Sequence, residues 1–180
     1  MINHCTGTTM AAHILIAYAT RNGSTAEIAQ AIGKELQSAG HTVEIAEMKT
    51  VTILAGYNAV VIGAPLYMGS VLGDAGKFVK RFSGELATLP VAAFAVGITP
   101  ASNDAKKVED SMKALHASFA PLRPVAATVF AGRLDPAKLS FIQRKMTEFV
   151  KSPTGDFRDW NTIAAWAKEL PGMMGVNTNI

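Results

Sequence analysis

Cysteine is almost absent from the 180-residue chain, which contains one, Cys5. A single thiol cannot form an internal disulfide or a cysteine cluster, and the four histidines lack the spacing of metal ligands. Apolar runs long enough to cross a bilayer are also missing, as is a leader in which charged residues precede apolar ones. We therefore expect a cytoplasmic protein without a metal site, in which Cys5 belongs to an N-terminal tail over residues 1–11.

Charge is also sparse, with 17% charged residues against 49% hydrophobic residues. This balance excludes a disordered chain and is typical of one compact domain with a substantial core. The net charge of +3 and the isoelectric point of about 9.1 come from basic residues that are spread along the sequence. Such diffuse charge is typical of a solvated surface, so we predict no nucleic-acid binding.

Short apolar runs alternate with helical patterns along the chain. Five runs have the length of strands, at residues 13–19, 42–48, 58–64, 91–96 and 125–131. The runs at residues 13–19 and 58–64 are nearly continuous, as expected of strands covered on both faces, whereas the run at residues 42–48 alternates and fits an edge strand. The alternation with helices predicts an α/β fold with a five-stranded parallel sheet. We place the domain at residues 12–171, with a last helix that stops at Pro171-Gly172 and a C-terminal tail at residues 172–180.

The first strand runs into a hydroxyl-rich turn and then directly into a helix. Ser24 as N-cap and Glu27 three residues later predict a capping box at the start of this helix. Such a turn directs main-chain N–H groups, the positive end of the helix dipole and short hydroxyls to one point, which suits a phosphate monoester. The turn lacks the glycines of a dinucleotide-binding motif and the Gly-Lys-Ser/Thr of a P-loop. On these residues alone, an empty turn and a bound phosphate are about equally consistent with the sequence.

Two further loops follow predicted strands, at residues 65–70 and 97–103. In a doubly wound sheet, ligands bind at the carboxyl ends of the strands. We therefore expect both loops to converge with the turn at residues 20–25.

The order and content of these loops resemble the flavodoxin family over residues 12 to about 170. The resemblance implies a flavodoxin-like doubly wound sheet, with strand order 2-1-3-4-5 and helices on both faces, and flavin mononucleotide (FMN) as the cofactor. It implies a phosphate turn made of Thr20, Arg21, Asn22, Gly23, Ser24 and Thr25. It also implies a flavin-ring site made of Pro65, Leu66, Tyr67, Met68, Gly69, Gly97, Ile98, Thr99 and Pro100. Where the family usually brings an aromatic residue to one ring face, this chain has Ile98, Thr99 and Pro100.

Within flavodoxins, the sequence is most similar to the menaquinone-dependent protoporphyrinogen oxidase branch. The likeness rests on residues 18–25, residues 60–64, Ala131-Gly132-Arg133, Asp159-Trp160 and an insertion at about residues 136–152. The insertion contains a basic amphipathic pattern over residues 138–151. Such a helix packs on its own domain or lies on a membrane surface, and the second arrangement would place the protein peripherally at the inner membrane face.

The resemblance implies an oxidoreductase that transfers electrons or hydride through FMN. Its redox partner would be a small molecule or a quinone, with protoporphyrinogen as the donor known from the branch. The alternative is an electron carrier that docks to a redox protein, but carrier flavodoxins are strongly acidic and this chain is basic. A signalling receiver would need acidic residues where the chain has Thr20 and Pro65. The Gly-x-Ser-x-Gly pattern of serine hydrolases is absent, and we predict no catalytic acid or base.

Overall fold

The computed structural model describes residues 11–67, 69–71, 73–98, 104–135, 137, 145 and 154–176. Cys5 and nearly all of the predicted N-terminal tail lie outside these residues. Most of the predicted insertion does so as well, together with Met68, Thr99 and Pro100 of the predicted ring site.

A parallel sheet forms the centre of the molecule. Its strands are β1 (His13–Tyr18), β2 (Thr42–Glu47), β3 (Ala59–Tyr67), β5 (Val91–Gly97) and β6 (Ala126–Ala131), and a short β4 (Ser70–Val71) pairs antiparallel with the end of β3. The order across the sheet is β2-β1-β3-β5-β6. Counted over the parallel strands alone, this is the predicted order 2-1-3-4-5. The predicted fold class is therefore confirmed.

Helices cover both faces of the sheet. They are α1 (Ser24–Ser38), α2 (Gly73–Arg81), α3 (Ser83–Leu86), α4 (Ala105–Phe119) and α5 (Trp160–Met173). Ile14 and Ile16 of β1 belong to the core beneath α1 and α5, whereas Leu15 and Ala17 belong to the core beneath α2, α3 and α4. This alternation explains why the central strands are apolar along their whole length. The edge strand β2 is less buried, as predicted.

The last helix ends one residue beyond its predicted stop at Pro171-Gly172. α5 continues to Met173, and the chain then folds back so that the Met174 side chain is only 4% exposed. The main-chain N–H of Met174 donates to the Leu170 carbonyl (2.8 Å) and that of Val176 to the Pro171 carbonyl (2.9 Å). Burial of an apolar side chain and these hydrogen bonds extend the element beyond a proline that would ordinarily end it.

A second, two-stranded sheet lies beside the start of α1. β7 (Arg133–Leu134) pairs antiparallel with β8 (Gly155–Asp156). The Phe157 N–H donates to the Gly132 carbonyl at 3.1 Å, and the Gly132 N–H donates to the Gly97 carbonyl at 2.8 Å. These bonds hold the segment before α5 against the carboxyl edge of the main sheet.

Candidate functional site

The three predicted loops begin on neighbouring strands and at the same edge of the sheet. β1 pairs in parallel with β3, and β3 pairs in parallel with β5. The phosphate turn follows β1, Tyr67 ends β3 and Gly97 ends β5. The structure therefore brings the described members of the predicted site to one edge, as expected for the carboxyl ends of a doubly wound sheet.

The start of α1 differs from the predicted capping box. The N-cap is Gly23, whose φ of 86° lies in the left-handed region that favours glycine, and its helix end has no side-chain cap. The Ser24 hydroxyl instead accepts a hydrogen bond from the Arg133 N–H at 3.1 Å. The Glu27 carboxylate accepts from Arg133 and Arg158. Neither side chain completes a capping box, because each is engaged by residues distant in the sequence.

The phosphate turn contains hydrogen-bond donors that have no acceptor among the described residues. Thr20 Oγ1 accepts from the Gly23 N–H at 3.1 Å, and Ser24 Oγ accepts from the Arg133 N–H. A hydroxyl that accepts from the main chain keeps its own hydrogen to donate. Within the described part of the chain, the N–H groups of Ser24, Thr25 and Ala26 in the first turn of α1 have no acceptor. The turn therefore has the donor set that a phosphate group requires.

Arg21 and Tyr67 lie together at the carboxyl edge of the parallel sheet. The Arg21 guanidinium carbon is 5.8 Å from the centroid of the Tyr67 ring, within the range of a cation–π contact. Tyr67 is 38% exposed, although it ends a strand that is otherwise buried. Burial of its phenol raises the pKa of Tyr67, and the Arg21 charge opposes part of this shift. The Arg21 side chain, which was predicted in the phosphate set, thus lies over Tyr67 of the predicted ring set.

The predicted loop at residues 65–70 is wrong in its first half, because β3 continues through Pro65 and Leu66 to Tyr67 and then pairs with β4. Leu66 is 6% exposed. A Cβ at Gly97, the last residue of β5, would lie 3.3 Å from the Leu66 carbonyl oxygen, so a side chain at this position would crowd the neighbouring strand. Gly69 has a φ of 75°, and a Cβ at this position would have no described neighbour within 4 Å. Pro65 is buried and Ile98 half-buried at the same edge.

The sequence did not predict a cluster of charged side chains beside the phosphate turn. We call Glu27, Arg133, Asp156 and Arg158 the Glu27 cluster. Arg133 Nη2 lies 3.1 Å from Glu27 Oε1, and Arg158 donates to Glu27 Oε2 and to both oxygens of Asp156. These bonds from Arg158 lower the pKa of the Asp156 carboxyl to about 2, and the two carboxylates raise the pKa of Arg158. The motif at residues 131–133 was visible in the sequence, but its contact with Glu27, 106 residues away, was not.

Over the ranges that the structure describes, no three His, Cys, Asp or Glu side chains are grouped so that they could hold a metal ion. None of the described helices combines the length and the apolar character needed to cross a bilayer.

The parallel sheet and the three loops at its carboxyl edge define a flavodoxin-like α/β protein. The family profile for the flavodoxin domain matches residues 15–161, and the chain belongs to this family. FMN is the cofactor of this family, and the donors of the phosphate turn fit its phosphate group. The protein therefore has a flavin-based redox function.

Curated relatives and solved structures agree with this assignment. The chain is 25% identical to a protoporphyrinogen IX dehydrogenase (quinone) from Escherichia coli, over 87% of this chain and 93% of the relative. It is also 25% identical to a protein of the same name from Leishmania major, over 88% of this chain and 74% of the relative. A variant of the flavodoxin from Pseudomonas aeruginosa superposes with a TM-score of 0.51 at 13% identity, over 91% of this chain and 99% of that one. The last comparison shows the shared fold.

Proposed function

We propose that this protein is an FMN-dependent oxidoreductase that takes electrons from a protoporphyrinogen-type donor and passes them to a quinone. The observation that carries the proposal is the phosphate turn, in which two hydroxyls and several N–H groups are left to donate to one anion. The choice of donor and acceptor is supported by the names of the relatives from Escherichia coli and Leishmania major.

The residues of the predicted site divide into two groups. We propose that the phosphate is held by the turn, through Thr20, Arg21, Asn22, Gly23, Ser24 and Thr25. We propose that the ring lies between the other two loops, against Pro65, Leu66, Tyr67, Met68, Gly69, Gly97, Ile98, Thr99 and Pro100. When bound, the flavin accepts electrons from the donor and returns them to the acceptor. The protein binds and orients the reactants, and we assign no side chain as acid or base.

Arg21 and Tyr67 give the mouth of the site a chemical preference. Arg21 is exposed, and it has no acidic partner among the described residues. A phenol keeps its proton near neutral pH, and burial raises the pKa of Tyr67 further, so this group can donate a hydrogen bond. A cation and a neutral donor beside an apolar edge suit an apolar substrate that carries carboxylates, as a porphyrinogen does.

The proposal is tested by reducing and reoxidising the bound flavin without oxygen. We expect protoporphyrinogen to bleach the yellow absorbance of the FMN-loaded protein, and a soluble menaquinone analogue to restore it. The same additions to flavin-free protein serve as the control. Flavin that remains oxidised with protoporphyrinogen but is reduced by a reductase protein would contradict the proposal and favour the electron-carrier alternative. Contact with a membrane through residues 138–151 stays a prediction, since nearly all of them lie outside the described residues.

A further inference from the structure

We propose that Arg158 is a positioning residue for the FMN phosphate and that it acts through Glu27 and Arg133 on Ser24. The inference rests on the proposed FMN site. The phosphate turn is not complete in itself, because residues that lie 106 to 131 positions further along the chain hold it in place.

The Arg158 side chain is fixed more firmly than any other in the Glu27 cluster. It is 4% exposed, and its guanidinium donates from Nε to Asp156 Oδ1 at 2.8 Å and from Nη2 to Asp156 Oδ2 at 2.5 Å. Nη1 donates to Glu27 Oε2. The guanidinium also lies 4.6 Å from the centroid of the Trp160 ring. A planar group with three donors engaged has one orientation, so Glu27 is held in one place.

Glu27 passes this restraint to the phosphate turn. Its second oxygen accepts from Arg133 Nη2 at 3.1 Å, and the Arg133 N–H donates to Ser24 Oγ at 3.1 Å. The two ends of Arg133 therefore contact the first turn of α1 at Glu27 and at Ser24. The bond to Ser24 occupies an acceptor position of the hydroxyl, which orients its hydrogen away from Arg133.

The cluster also removes an electrostatic conflict. A carboxylate in the first turn stabilises a helix, but it repels a phosphate bound at the same helix end. Arg133 and Arg158 compensate Glu27 and Asp156, so the four side chains sum to zero charge. Without Arg158, the Glu27 carboxylate in the first turn of α1 would have one guanidinium fewer to compensate its charge.

If the Glu27 cluster served stability alone, the loss of Arg158 would lower stability without a selective effect on either flavin. If Arg158 positions the phosphate turn, its loss must weaken the binding of FMN more than that of riboflavin, which lacks the phosphate. The test measures dissociation constants of both flavins for the flavin-free full chain, by the quenching of flavin fluorescence. We expect Arg158→Met to weaken FMN binding about tenfold, which corresponds to the loss of one charge-assisted hydrogen bond, the one from the Ser24 hydroxyl to the phosphate. We expect it to change riboflavin binding by less than about twofold. Lys168→Met is the matched control, because Lys168 bridges α5 to Glu35 of α1 at 3.9 Å without touching the turn.

The outcomes distinguish a failure of the proposed FMN site from a failure of the inference about Arg158. A wild-type chain that does not bind FMN overturns the proposed function and the inference together. If the wild type binds FMN but Arg158→Met weakens both flavins equally, or neither, the inference alone is overturned. If Arg158→Met does not fold, Arg158→Lys decides, since it keeps the charge and loses the planar fork. A reduced preference for FMN over riboflavin in that variant supports the inference, and an unchanged preference overturns it.

Discussion

At position 63, in the centre of the sheet, the neighbouring Phe94 ring leaves room for glycine alone. Gly63 pairs with Phe94 across β3 and β5, and a Cβ at Gly63 would lie 2.1 Å from Phe94 Cζ. Phe94 is fully buried and packs against Phe130 and Trp166 with centroid distances of 6.0 and 6.2 Å. The aromatic ring therefore occupies the space that any side chain at Gly63 would need.

We predict that Gly63→Ala lowers the free energy of unfolding by about 1–3 kcal/mol, because the extra methyl group overpacks a core that has no space for it. Urea unfolding followed by circular dichroism measures the change. Gly76→Ala in α2 is the matched control, because a Cβ at Gly76 has no atom within 4 Å. In a helix interior that change is neutral or stabilising. Equal urea midpoints for the two variants would contradict the packing argument.

The sequence predicted residues 58–64 as a buried strand, but it did not predict the contact of Gly63 with an aromatic ring. The contact depends on the register between β3 and β5, which apolar composition leaves open when both strands are continuous. The same limit applies to Arg158. Its charge is evident in the sequence, but its burial depends on partners at positions 27 and 156.

Among the elements, the start of α1 was predicted correctly in place and wrongly in detail. The pattern from Ser24 to Glu27 has the spacing of a capping box, and the helix does begin there. Local spacing cannot show that Arg133 and Arg158 bind the Ser24 and Glu27 oxygen atoms that a capping box would use. The main-chain N–H of Arg133 binds the Ser24 hydroxyl, and charge-assisted bonds from the Arg133 and Arg158 side chains bind the Glu27 carboxylate. Gly23 forms the cap through its left-handed backbone.

The hydroxyls of this turn give a test of the proposed phosphate site. We predict that replacing Thr20 and Ser24 together by alanine weakens FMN binding by at least about tenfold, since two oriented donors are lost, and changes riboflavin binding much less. Fluorescence titration of the flavin-free protein measures both. Thr88→Ala is the control, because the Thr88 hydroxyl donates to the Glu85 carbonyl at 2.8 Å, ahead of the amino end of β5.

Stability must be followed in the same variants. Loss of the Ser24 hydroxyl leaves the Arg133 N–H without its acceptor, which costs about 1–3 kcal/mol where the group is buried. A double variant that binds FMN as tightly as the wild type would place the phosphate elsewhere. Equal weakening of FMN and riboflavin would instead show damage to the whole site.

At the scale of the molecule, the fold and the convergence of three loops could be predicted, because both follow from the alternation of strands and helices. Right-handed crossovers place the helices on both faces, and parallel strands end at the same edge. The strand order came from the family resemblance. The pairing of β7 with β8 was not predicted, since two strands of two residues each carry no periodic signal. That pairing is what brings the Glu27 cluster to the phosphate turn.

The proposed domain boundary at residue 171 is open to a direct test, because the structure continues the core beyond it. Met174 packs in the same core as Ala12, Leu36 and Leu170, and Val176 lies against that core. We predict that a chain of residues 11–176 unfolds at the same urea concentration as the full chain. A chain of residues 11–171 should have a free energy of unfolding lower by about 1.5–3 kcal/mol, because it lacks the Met174 side chain that the full chain buries on folding.

The start of the domain should be retained in both shortened chains, since Ala12 is tied to the second strand. Its N–H donates to His41 Nδ1 at 3.3 Å, and its carbonyl accepts from the Thr42 N–H at 2.9 Å. Met174→Ala in the full chain is the comparison that separates the side chain from the peptide. If the chain of residues 11–171 were as stable as the full chain, the packing of Met174 would contribute nothing and the domain would end at Pro171. If Met174→Ala reproduces the loss, the boundary lies beyond residue 174, and the last turn after α5 is part of the flavodoxin domain.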